Sequence, residues 1–271
     1  LCAGNKWAAY ALTEADSGSD AGAMAMTATP DGDDWILEGN KIWITNGDFA
    51  DVIITFAAND RSKGTRGGIS AFIVDTDTDG FSVGKPEDKM GQCGSTTVEI
   101  SLDKVRVPGN NVLGEVGDGF KVAMATLDRG RLTLGANCLG AAKEALDISI
   151  RYSQQRIAFG KPIAEQQAIQ WMLADSAAEI YAMESMLYRT AWMCDEGMRI
   201  SRESAMVKLV CSEYLDRIVD RAVQIHGGYG YSKEYAVERM YRDSRVNRIY
   251  EGTNEIQRLV IARGLLKKGA Y

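Results

Sequence analysis

The stretch RIYEGTNEIQRL, residues 248–259, sets one carboxylate, Glu251, between Tyr250 and Gly252, just ahead of a pattern that starts a helix. A carboxylate beside an aromatic ring gains basicity when burial disfavours its charged form, and it can then take a proton from a bound molecule. The same glutamate can instead be an ordinary charge near a helix end, because Gly252-Thr253-Asn254 reads as a turn and cap. Both readings stand on the local residues.

Other short stretches carry the same two-sided character. IHGGYGY (225–231) is GGxG rather than GxGxxG and follows a helical pattern, so it is not a dinucleotide fingerprint. Its glycines suit either a helix C-terminus or a close backbone approach to a ligand. QRIAFGKP (155–162) offers the Arg156 guanidinium, suited to phosphate, and the flat face of Phe159, yet it also reads as a helix–helix connection. TEADSGSD (13–20) places Ser17, Gly18 and Ser19 where backbone N–H groups can hold an anion, or where a solvated loop turns. WITNG (43–47) ends a strand in a turn, His226 reads as a structural residue beside the glycines, and ERMYRDSRVNR (238–248) as a solvated helix face.

The elements that must position these residues change character near residue 115. Before it, short β-rich runs alternate with Gly, Asp and Asn. DWILEGNKIWITNG (34–47) reads as two extended runs around a hairpin at Glu38-Gly39-Asn40. DVIITFAA (51–58), GISAFIVD (68–75) and TTVEISLDKVRV (96–107) are further strands, with turns at Asp31-Gly32 and Asp79-Gly80. No long helix separates them, so an antiparallel barrel or sandwich is expected over 1–115. From 116 to 271 helical periodicity takes over. One helix is expected over 119–151, a second from Pro162 to about Cys194, a third over 201–225, a shorter one near 233–247 and a last one from Thr253. In the third, Met206, Leu209, Val210, Tyr214, Ile218, Ala222 and Ile225 form one apolar stripe. The expected class is therefore α+β, an antiparallel β-domain followed by an antiparallel helical bundle. Leu132, Leu134 and Leu139 lie on more than one side of the first long helix, which fits packing on two faces, within the domain or in an oligomer.

Composition bounds the function. The 271 residues carry a net charge of −6, which argues against a nucleic-acid binder. No apolar run reaches the roughly 20 residues that span a bilayer. Five dispersed cysteines, without CxxC, suggest free thiols in a reducing compartment, bacterial cytoplasm or mitochondrial matrix. With a single histidine, multi-histidine metal sites are excluded, and no metal is expected.

Taken in order, AYALTEADSGSD, WITNG, TLDRGR, QRIAFGKP, AVQIHGGYGY and RDSRVNRIYEGTNEIQR resemble the acyl-CoA dehydrogenase family over essentially the whole chain, nearest to its short-chain, butyryl-CoA type. The resemblance implies a middle β-domain and a C-terminal helical domain, preceded in the family by a helical domain that this sequence does not include. It implies FAD-dependent oxidation of the Cα–Cβ bond of an acyl-CoA, with Glu251 as the base and electrons passed to an electron-transfer flavoprotein. An ordinary glutamate, with a pKa of about 4.3, is too weak a base for an α-proton. Burial beside Tyr250 would raise it, and the following helix start would lower it. Gly252 leaves room for the thioester, whose carbonyl the base's own N–H would bind.

By the same resemblance, Tyr10, Leu12, Thr13, Trp43 and Thr45 contact the flavin. Arg156, Phe159 and Gln167, with Gln224, Gly227 and Gly228, contact FAD from a neighbouring subunit, which makes an oligomer, usually a homotetramer, obligatory. Thr253 and Glu255 lie near the FAD phosphates; Ser19, Asp128 and Arg131 resemble CoA contacts. In isovaleryl- and long-chain-type members the base precedes the arginine of Asp-x-x-Arg; here that position is Gly130, which cannot be a base. TEADSGSD departs from the family's TEPxAGSD at Ala15 and Ser17, and Asp16 adds a charge expected to point to solvent. Two alternatives accompany the reading: a non-catalytic subunit of the family, and an enoyl-CoA reductase that uses the same site in reverse.

Overall fold

The computed structural model describes residues 1–268. They form two compact units, residues 1–89 with 93–126, and residues 90–92 with 127 onward. The first unit is one seven-stranded sheet: β1 (Ala8–Ala11), β2 (Thr27–Asp31), β3 (Asp34–Thr45), β4 (Val52–Ala58), β5 (Ile69–Asp75), β6 (Phe81–Val83) and β7 (Thr97–Pro108). Strand order is β1-β4-β2-β3-β7-β6, with β5 on β4. The β2–β3, β3–β7, β4–β5 and β6–β7 pairs are antiparallel, whereas β1 runs parallel to β4, and Thr27 pairs in parallel with Ala58. The sheet is thus mixed. Along the chain the β2–β3 hairpin separates β1 from β4 and is long enough to return the chain in the same direction.

Burial follows the residue pattern. β4 and β5, nearly continuous in apolar residues, are covered on both faces. β7 alternates, with Val98, Ile100 and Leu102 inside and Glu99 outside. Phe72, Ile53, Leu37 and Val105 sit in one core with Trp35 packed at its margin.

The expected hairpin at 38–40 does not exist. β3 runs straight through, with a register shift between Leu37 and Gly39, and the hairpin turn lies earlier, between Asp31 and Asp34. The extra residue of that shift lies on β7, where Lys104 is left-handed; Gly39, opposite, has φ of 145°, and a Cβ there would sit 2.8 Å from the Met26 Cα. Glycine at 39 therefore serves a close backbone approach, not a turn.

The remaining elements are α1 (Gly119–Gln155), whose first residues belong to the first unit, then β8 (Ile157–Ala158), β9 (Lys161–Pro162), α2 (Gln167–Asp195), α3 (Ser201–His226), α4 (Ala236–Ser244) and α5 (Asn254–Lys268). Leu134, Cys138 and Ala142 of α1 pack with Met183 and Leu187 of α2 and with Val207, Cys211, Leu215 and Ile218 of α3. Pro162 does not open α2; it ends the β8–β9 hairpin and precedes a 3-10 turn at Ile163–Glu165, and α2 starts five residues after it. The apolar stripe read on α3 holds in the second half of the helix, where Ile218, Ala222 and Ile225 are buried, and is displaced in the first half. Met206, Leu209, Val210 and Tyr214 are only half-buried, while Ser204, Lys208, Cys211, Ser212 and Leu215 are buried. α3 is flanked by α2, α4 and α5, so polar side chains that find partners there can lie on its inner face.

Candidate active site

Glu251 lies on the short turn between a 3-10 segment at 245–248 and α5. It adopts φ of 59°, and Gly252 follows at 85°, two consecutive left-handed residues. The left-handed region is costly for glutamate, so neighbouring contacts must hold it. They converge on two successive carbonyls. The Glu251 carbonyl accepts from Arg131 Nε at 3.3 Å and Gln257 Nε2 at 3.1 Å. The Gly252 carbonyl accepts from Gln257 Nε2 at 2.8 Å and Lys208 Nζ at 2.8 Å. Thr253 begins the next helix by accepting the Ile256 N–H on its hydroxyl. Glu255 brings a carboxylate to the same helix start, held below the usual range first by its own backbone N–H and then by the Thr253 hydroxyl.

The side chain of Glu251 is left free. Its Oε2 is buried without a hydrogen-bond partner, and among the described residues no acceptor pairs with its backbone N–H. Burial raises the pKa of the carboxyl group, and the charges of Arg131 and Lys208 oppose the rise. Gly130 of α1 faces it so closely that a Cβ there would come within 2.7 Å of Oε2. Gly130 is therefore the space into which Glu251 fits. Tyr250, the preceding residue, stays partly exposed, with its hydroxyl donating to Asn247 Oδ1 at 2.8 Å.

Asp128 and Arg131 pair at 3.0 Å, and Ser201 donates to the second Asp128 oxygen. Arg131 is buried, and its guanidinium is spent on Asp128 and the Glu251 main chain. The structure thus gathers Asp128, Arg131, Glu251, Gly252 and Thr253 in one place. Arg131 also holds the main chain of the candidate base.

In the first unit, Tyr10 lies on β1, and Leu12 and Thr13 on the segment after it. The Thr13 carbonyl accepts the Ile42 N–H of β3 at 2.9 Å, which ties the two runs together. Lys41, wholly buried, donates to the Leu12 carbonyl and pairs with Glu14 at 2.7 Å. A second register shift in β3, between Lys41 and Ile44, turns Trp43 away from the interior. Trp43 stands at φ of 60° and is 57% exposed, with Thr45 also on the surface. Ser19 is exposed, and Asp16 points to solvent.

In the second unit, Arg156, Gly227 and Gly228 border one cleft of about 670 Å³, with Tyr152 and Tyr229. His226 is structural, as expected. It is buried, with Nδ1 2.7 Å from the Ala222 carbonyl and its ring stacked on Tyr152. Phe159 and Gly160, both left-handed, form the two-residue turn of the β8–β9 hairpin, and Phe159 is 96% exposed. Gln167 and Gln224 are exposed on α2 and α3.

Sequence reasoning missed Glu14, Lys41, Lys208 and Gln257. The signal for Lys41 was present: it shares strand parity with Leu37, inside the sheet. Lys208 sits in MVKLV, a lysine inside an apolar run. Nothing local marks Gln257.

Among the described residues no helix is long and apolar enough to cross a membrane. Residues 9–105 match the acyl-CoA dehydrogenase middle domain, and residues 117–266 the acyl-CoA dehydrogenase C-terminal domain. The chain is 49% identical over 268 residues to the caffeyl-CoA reductase-Etf complex subunit CarC of Acetobacterium woodii, covering 99% of this chain and 70% of that one. A butyryl-CoA dehydrogenase structure from Megasphaera elsdenii superposes with a TM-score of 0.94 at 46% identity, over 96% of this chain and 68% of that one. An acyl-CoA dehydrogenase from Bacillus anthracis, complexed with FAD, gives a TM-score of 0.90 at 44% identity, over 96% and 47%.

Proposed function

Because the chain belongs to the acyl-CoA dehydrogenase family, we propose that it oxidises a short-chain acyl-CoA thioester to the trans-2-enoyl-CoA, with FAD as cofactor and an electron-transfer flavoprotein as onward acceptor. The observation that carries the reading is the buried, unpartnered Glu251 Oε2 on its left-handed turn, with its basicity raised by burial. The residues present fit the cofactor. Trp43 and Phe159 hold flat aromatic faces open to solvent on strained backbone, an arrangement that folding alone does not reward. Arg156 and the glycines at 227 and 228 border a cleft open to a polar ligand.

Bound FAD supplies the hydride acceptor. Glu251 Oε2 takes the α-proton of the thioester. The free Glu251 N–H donates to the thioester carbonyl oxygen, where negative charge develops as the proton leaves. Gly252 and Gly130 keep side chains out of the space that the thioester and the carboxylate need. The family's shared cofactor site supports a homotetramer as the working assembly. The free cysteines suit a reducing compartment, either bacterial cytoplasm or mitochondrial matrix.

A second reading is supported by a specific observation, the name of the Acetobacterium woodii relative, a reductase-Etf complex subunit. The same base, protonated, would then deliver a proton to the α-carbon of an enoyl-CoA. Rapid mixing decides both. Oxidised enzyme with butyryl-CoA should bleach its flavin absorbance, and reduced enzyme with crotonyl-CoA should regain it; the faster limb gives the direction. A protein that binds no FAD would sink the reading and leave a non-catalytic subunit. Glu251→Gln should keep FAD and ligand binding and lose flavin reduction by about 10²–10⁴-fold.

A further inference from the structure

We propose that Lys208 is a positioning residue for Glu251: its buried ammonium joins the Gly252 carbonyl to the first side chain of α5 and so sets the turn that presents the carboxylate. The inference rests on Glu251 being the base.

Lys208 is 0% exposed in the middle of α3. A fully buried lysine normally has an ionised partner. Lys208 has none within ion-pair distance among the described residues; both acceptors of Nζ are neutral, the Gly252 carbonyl at 2.8 Å and Asn254 Oδ1 at 2.8 Å. Asn254 Nδ2 in turn donates to Ser212 Oγ at 3.0 Å. Ser212 stands one turn after Lys208 on α3, so this helix grips the turn at two levels. With Arg131 from α1 and Gln257 from α5, three helices hold the carbonyls of the left-handed Glu251 and of Gly252 after it. Such convergence is what keeps a strained conformer in place. It leaves the Glu251 N–H and the Oε2 atom of its carboxylate without a partner among the described residues.

Lys208 also carries charge to the site. The titratable groups facing it are Arg131 and Cys138 from α1 and Glu251 and Glu255 from the final segment. Burial brings its pKa down to about 8. Below that value the ammonium opposes the upward push of burial on Glu251; above it, that restraint is lost.

The test uses FAD-loaded, full-chain protein with Lys208→Met, which removes donor and charge, and Lys208→Gln, which keeps a neutral donor. Flavin reduction by butyryl-CoA is followed against pH, and the Glu251 carboxyl is titrated by infrared difference against Glu251→Gln. In Lys208→Met the maximal reduction rate should fall at least about tenfold at nearly unchanged KM, as expected for a misplaced base. The Glu251 titration should move up by about one pH unit. Lys208→Gln should recover most of the rate and keep the upward shift. A folded Lys208→Met with wild-type rate and titration overturns the proposal. If Lys208→Met does not fold, Lys208→Gln decides: a shifted titration supports the proposal and an unshifted one overturns it. Normal reduction by Glu251→Gln would instead remove the underlying assignment of the base.

Discussion

Glu251 and Gly130 occupy one site jointly. A carboxylate reaching across from the α5 side needs an empty position on α1, and a Cβ at 130 would be 2.7 Å from Oε2. Gly130→Ala should therefore displace the carboxylate. We expect flavin reduction to fall by about 10–100-fold with FAD content unchanged, as measured by absorbance and stopped flow. The raised pKa of Glu251 has a second consequence. A carboxyl with a folded-state pKa above its unfolded value binds more protons folded than unfolded between the two, so its contribution to stability declines as pH rises through that window. At neutral pH the charged, unpartnered group is a burden on folding. Glu251→Gln should melt higher than the parent at pH 7.5, and the gain should shrink towards pH 4. An unchanged or lower melting temperature at pH 7.5 would contradict the buried carboxylate described here.

Two register shifts in the β3–β7 pairing do what the simple alternation of a strand cannot. The first, whose extra residue lies on β7 beside the left-handed Lys104, falls where Gly39 packs against Met26 on its other side, and the second, whose extra residue lies on β3, puts Lys41 inside and Trp43 outside within three residues. Gly39→Ala should thus cost stability through both the close contact and the positive φ, roughly 1–3 kcal/mol by denaturant unfolding. The larger effect belongs to Lys41. It is buried against Glu14, which also accepts the Ala25 and Met26 N–H groups. Lys41→Met would strand that carboxylate, at about 3–5 kcal/mol, and loosen the segment bearing Leu12 and Thr13. The accompanying readout is weaker FAD retention on dialysis. On α3 the stripe holds at Ile218, Ala222 and Ile225, but in the first half apolar spacing favoured the wrong face, because Lys208 and Ser212 are buried with partners that come from Asn254 and Gly252, more than forty residues on.

For the molecule as a whole, the groups titrate with opposite signs. Burial pushes Glu14 up, but Lys41 and two backbone N–H groups hold it below the ordinary range, so its contribution is complete above about pH 4.5 and lost as pH falls through the folded value. Lys208, depressed by burial to about 8, binds fewer protons folded than unfolded up to about pH 10.4, so stability gains from it as pH rises through that range. Melting temperature measured against pH should show a smaller acid loss in a Lys41→Met, Glu14→Gln double variant than in the parent. The alkaline gain should vanish in Lys208→Met. Light scattering on the FAD-loaded protein is expected to show four chains; a monomer that retains FAD and activity would refute the shared cofactor site.

The sequence by itself determined the α+β class, the family and the turn on which Glu251 sits. Each rests on local information: strand and helix periods, turn residues, and motifs whose order along the chain is specific. It also showed, through Gly130, where a second base could not be. Only the tertiary structure decided that Glu251 is left-handed, that its Oε2 is buried and unpartnered, and which donors hold it there. Those donors, Arg131, Lys208 and Gln257, come from three helices, and local spacing does not encode partners brought together from distant positions. Burial then sets the chemistry, because an exposed glutamate would keep its ordinary acidity and the same residue in a dry turn becomes a base.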